Sequence, residues 1–86
     1  MTFFVYLLLC KNNYNTVTYA GYTIDLKKRI KLHNSNKGAK FTKGRKWKII
    51  YKKKYSTKSQ AMKEENKLKK NRLFRKSIIN NYLKKI

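Results

Sequence analysis

The chain has 86 residues, of which 24 are Lys or Arg and only three are acidic, giving a formal charge of +21 at pH 7. That length predicts one domain, residues 1–86, with a modest core and little left over for a second. A lone cysteine, Cys10, excludes an internal disulfide and a thiolate zinc cluster, which fits a reducing, cytoplasmic setting.

The positive charge is spread along the chain, so a polyphosphate partner is its natural counterpart, DNA first and RNA second. A/T-rich codon usage also raises Lys, Asn, Ile, Tyr and Phe together. Charge therefore speaks for binding by counterion release and not for any chemistry. Nothing in the pattern points to a membrane or to an obligate protein partner.

Phe3 to Cys10 is a continuous apolar run rich in aromatic and branched residues, the pattern of a central strand covered on both faces. A leader peptide would need basic residues before the run and small residues before Cys10, and eight residues are too few to span a bilayer. Val17 to Tyr22 reads as a second strand, joined to the first by an Asn-rich turn as an antiparallel hairpin. Gly21 near its end marks a place where something approaches the backbone closely.

Thr23 is the expected N-cap of an amphipathic helix over 24–34, with Asp25 in its first turn and Leu26, Ile30 and His33 on one side. A basic loop, Gly38 to Lys46, leads to a third strand over 47–55. Thr57 and Gln60 match a capping box that opens a helix over 58–70, and Asn71 caps a last one over 72–85. In that last helix Phe74, Ile78, Ile79, Tyr82 and Leu83 form an apolar stripe. The order β-β-α-β-α-α predicts an α/β (α+β) fold, a small three-stranded antiparallel sheet with helices packed on it.

Acids are the scarce resource, so Asp25, Glu64 and Glu65 are the only candidates to hold a hard cation such as Mg²⁺ or Mn²⁺. A site with so few carboxylates suits one ion, its shell completed by water and substrate phosphate. Helical projection puts Glu65 on the stripe of Ala61, Met62 and Leu68, with Glu64 on the flank. A carboxylate there needs a partner, either an ion pair with Arg29 or a nearby Lys, or a metal. Arg29 is either a solvated flank or a fixed fork for phosphate. Taken singly, His33, Tyr6 and Tyr19 read first as packed core residues and only second as site residues.

Taken together these residues reproduce a recognisable spacing. A strand bearing Tyr6 is followed by Tyr19-Ala20-Gly21, then Thr23-Ile24-Asp25-Leu26-Lys27-Lys28-Arg29-Ile30-Lys31-Leu32-His33, Gly38-Ala39-Lys40-Phe41-Thr42 and Ala61-Met62-Lys63-Glu64-Glu65. The sequence resembles the GIY-YIG nuclease superfamily, in particular its small stand-alone bacterial-type members related to the Slx nuclease domain. Phe4-Val5-Tyr6 stands where the family name has Gly-Ile-Tyr, and Ala20 stands for the second Ile.

The resemblance implies a hydrolase, a metal-dependent DNA endonuclease. Glu65 would hold one divalent cation, Tyr6 and Tyr19 would help activate water, Arg29 would stabilise the transition state, and His33 and Lys40 would support them. Lys27, Lys28, Lys31, Lys40, Lys43, Arg45 and Lys46 are the expected phosphate contacts. The competing readings are a catalytically inactive basic nucleic-acid-binding module and a ribosome-associated structural protein.

Overall fold

A computed structural model of the chain describes residues 1–11, 16–35, 37 and 44–85. The elements run β1 (Phe3–Lys11), β2 (Thr16–Thr23), α1 (Leu26–Asn34), β3 (Lys48–Tyr55), α2 (Lys58–Lys70) and α3 (Arg72–Lys84). The three strands form one sheet in the order β2-β1-β3, with both pairings antiparallel. The expected fold is the observed one.

The apolar run becomes the central strand because only that position hides both faces of a chain without polar residues. Val5, Leu7, Ala20, Ala61, Leu68 and Ile78 form one cluster, which packs β1 and β2 against α2 and α3. Tyr6, Leu8, Cys10 and Trp47 form the other, covered by Leu26 and Ile30 of α1. Alternation along β1 thus sends odd residues to one core and even residues to the other. Among the described residues no helix is long and apolar enough to cross a membrane.

Thr57 and Asn71 cap as expected, accepting hydrogen bonds from the Gln60 and Phe74 amides. The first helix differs. It begins at Leu26, and its N-cap is Asp25, whose carboxylate accepts from the Lys28 amide at 3.1 Å. Thr23 is the last residue of β2, paired with Phe4, and its hydroxyl accepts from the Asp25 amide instead. The third strand starts at Lys48, one residue late, because the Trp47 amide and carbonyl are both bonded to the Asn34 side chain, at 2.6 and 3.2 Å.

Two expected core residues turn outward. Met62 is 50% exposed, because α2 buries only the narrow line of Ala61 and Leu68, and Phe74 is 42% exposed at the start of α3. Ile78 carries the contact of α3 with the sheet, and Ile79, Tyr82 and Leu83 are half-buried beside it.

Candidate active site

Tyr6 lies on β1 directly opposite Gly21 on β2. Its ring passes over the glycine so closely that a Cβ at position 21 would stand 2.5 Å from the hydroxyl and 2.7 Å from Cζ. The close approach signalled by Gly21 is therefore the ring of Tyr6. The hydroxyl meets Nε2 of His33 at 3.0 Å, and the His33 ring lies 5.0 Å from that of Tyr19. His33 comes from the last turn of α1 and is 1% exposed. It stands behind the tyrosines instead of opening onto solvent.

Burial above all, and then Tyr19 and Glu65, push the Tyr6 hydroxyl well above the ordinary phenol range, with Arg29 pulling the other way. Burial and the Arg29 guanidinium lower His33 below its ordinary 6.5. The pair is thus neutral near pH 7, a phenol O–H beside an imidazole. With the ring proton on Nδ1, Nε2 accepts from Tyr6.

Glu65 reaches the same place from α2. Its side chain is 14% exposed, and Oε1 pairs with Lys69 Nζ at 2.6 Å one turn later on the helix. The bond to Glu65 raises Lys69 above the usual lysine value. Of the two partners weighed from the sequence, then, a nearby Lys takes the carboxylate and Arg29 does not.

Tyr6, Tyr19, Gly21, Arg29, Lys58 and Glu65 line one cleft of about 450 Å³. It joins the two sides of the sheet at the outer strand β2. Glu64 lies on a separate cavity with Tyr51, Tyr55 and Lys67. A larger cavity of about 540 Å³, lined by Leu9, Lys46, Trp47 and Tyr82, has no acid on its wall.

Four of the five expected site residues therefore share the cleft, and His33 supports it from inside. Lys27, Lys28 and Lys31 stand on the exposed side of α1, away from the cleft lining. Arg45 is half-buried, and Lys46 lines the larger cavity. Lys40 and Lys43, with the Gly38 to Thr42 motif, lie outside the described residues.

Lys58, on the cleft wall, and Lys69 were missed from the sequence. Both share a helical stripe with Glu65, at seven residues before and four after, a spacing that does not single them out in so basic a chain.

Among the described residues no three His, Cys, Asp or Glu side chains cluster as a metal cage. A single hard carboxylate in an open cleft, next to phenolic oxygens, nonetheless fits an Mg²⁺-like ion that keeps most of its water and takes the rest of its shell from phosphate.

Comparison with known proteins agrees with this architecture. The family described as the GIY-YIG catalytic domain matches residues 2–80. The chain is 48% identical over 68 residues to the UPF0213 protein YazA of Bacillus subtilis, covering 78% of this chain and 66% of that protein. It is 42% identical over 67 residues to the UPF0213 protein OB0043 of Oceanobacillus iheyensis, covering 77% and 74%. The solution NMR structure of the UPF0213 protein BH0048 from Bacillus halodurans aligns with a TM-score of 0.53 at 35% identity, over 93% of this chain and 84% of that one. The chain belongs to the GIY-YIG family, a nuclease family whose members generally use a divalent metal.

Proposed function

We propose that the chain is a metal-dependent DNA endonuclease that hydrolyses phosphodiester bonds in the cleft between Tyr6, Arg29 and Glu65. One observation carries the reading: the single carboxylate on the core side of α2 shares a cleft with an Arg and two tyrosines drawn from three other elements. Such convergence suits phosphoryl chemistry.

Glu65 would hold a divalent cation, which when bound would supply charge to polarise the phosphate and acidify water. The chain's residues do the rest. The Arg29 guanidinium, exposed on the cleft wall, meets the charge that develops on the phosphate oxygens. In the tautomer with the His33 proton on Nδ1, the Tyr6 oxygen directs its own proton at Nε2, keeping lone pairs for a proton from water while passing its own to the imidazole. A relay of this kind avoids a free phenolate, which burial of Tyr6 disfavours. Tyr19 packs on His33 and fixes the ring.

The test is incubation of the purified protein with labelled single-stranded, duplex and branched DNA, in Mg²⁺, Mn²⁺ or EDTA. Cleavage that needs the metal is the expected result. Tight binding with no cleavage of any of the three would make the chain a basic nucleic-acid-binding module instead.

A further inference from the structure

The cleft is an unfavourable place for a dication to enter alone. Its one carboxylate already holds the Lys69 ammonium at 2.6 Å, and Arg29 and Lys58 share the wall. Three cations therefore surround one acid in a chain of formal charge +21. A polyanion arriving in the cleft would relieve the repulsion.

Lys69 has somewhere else to go. Its side chain is 52% exposed, and it also lines a shallow depression of about 250 Å³ with Thr18, Tyr19, Ala20 and Arg75. Tyr19 borders both the depression and the cleft, so the two are adjacent. Arg75 is fixed there by hydrogen bonds from Nη1 to the carbonyls of Leu68 and Lys69 at the end of α2. A backbone phosphate in the depression would meet a guanidinium and, after a short swing, the Lys69 ammonium.

We propose that Lys69 is an exchangeable cation: it occupies Glu65 in the ion-free protein and moves to a substrate phosphate beside Arg75 when nucleic acid binds, vacating Glu65 for the divalent ion. The inference rests on the nuclease reading and adds to it an order of events. Metal and phosphodiester bind together, each strengthening the other, as linkage requires. Lys69 is a positioning residue in this scheme, since it acts through Glu65.

The experiment measures Mn²⁺ affinity of the DNA-free protein by electron paramagnetic resonance. In parallel, the anisotropy of a labelled phosphorothioate oligonucleotide gives its affinity with and without Mn²⁺ at fixed ionic strength. Lys69→Met and Lys69→Gln should each tighten Mn²⁺ binding to the free protein by about fivefold or more, and should shrink the gain in oligonucleotide affinity that Mn²⁺ brings. Lys69→Arg should restore both towards wild type. Lys67→Met, which removes the same charge from the exposed partner of Glu64, should leave both unchanged. Equal Mn²⁺ affinity in wild type and Lys69→Met, or equal effects at positions 67 and 69, overturns the exchange and leaves the nuclease reading standing. If Glu65→Gln binds Mn²⁺ as wild type does, the cation is not at Glu65 and both fall.

Discussion

Replacing Gly21 with Ala isolates the contact that places Tyr6. Gly21 is not among the positive-φ glycines, so its strand backbone is one that alanine also adopts. In open space the change would stabilise by about 0.4–1 kcal/mol through the unfolded chain. Here the new methyl falls 2.5 Å from the Tyr6 hydroxyl and 2.7 Å from Cζ, where ordinary contact begins at 3.4 Å.

The ring must retreat by about 1 Å, and overpacking of that kind costs about 1–3 kcal/mol. The retreat also stretches the 3.0 Å bond to His33, and a buried hydroxyl left without its partner costs about 1–3 kcal/mol more. A net loss of about 1–5 kcal/mol is expected by urea denaturation followed by circular dichroism. In a Tyr6→Leu background the ring is gone, and the same Gly21→Ala change should be neutral or stabilising. A change of equal size in the two backgrounds would refute the argument. Cleavage should fall on the order of 100-fold in Gly21→Ala, the scale expected for a reacting group misplaced by about 1 Å.

Three further outcomes follow from the geometry. His33 has a folded-state pKa below its ordinary 6.5, so the unfolded chain binds that proton more readily than the folded one. Its contribution is complete above 6.5 and is lost as pH falls below that value; urea midpoints should therefore drop more in wild type than in His33→Gln between about pH 7.5 and about pH 5. Parallel drops would contradict the assignment.

Asn34→Ala removes both side-chain bonds to the Trp47 backbone and should cost about 1–3 kcal/mol in thermal or chemical denaturation. A loss under about 0.5 kcal/mol would mean that the link between the end of α1 and Trp47 carries no weight. DNA affinity should fall steeply with salt, and each of Lys27→Ala, Lys28→Ala and Lys58→Ala should reduce the log-log slope by about 1 if that lysine contacts a phosphate. A wild-type slope near zero would remove phosphate contacts from the account.

What the sequence made legible was local or periodic. The run from Phe3 to Cys10 announced a strand buried on both faces, and Thr57 and Asn71 announced helix starts, because caps act within one turn of themselves. Helical projection separated Glu65 from Glu64, and the two carboxylates do face different cavities. Gly21 announced a close approach but not the ring that makes it, since that depends on the register of β1 against β2.

Competition between neighbours was harder to read. Thr23 and Asp25 are both good caps, and the strand pairing of Thr23 decided between them. Trp47 has strand-like character, but its backbone bonds go to Asn34, thirteen residues earlier. Lys58 and Lys69 were hidden by abundance, because in a chain with 24 Lys and Arg a basic residue on the right stripe carries almost no signal. The depth of His33 needed the tertiary packing of α1 on the even face of β1.

The central claim, that Glu65 is the acid on which cleavage depends, is tested most directly by comparing single-turnover cleavage of labelled DNA by wild type, Glu65→Gln and Glu64→Gln in Mg²⁺. Wild type and Glu64→Gln should cleave at similar rates. Glu65→Gln should be slower by orders of magnitude with DNA affinity unchanged or slightly raised, because the change removes charge and keeps shape. Similar rates for the Glu64 and Glu65 variants, or no metal-dependent cleavage by wild type, would contradict the account.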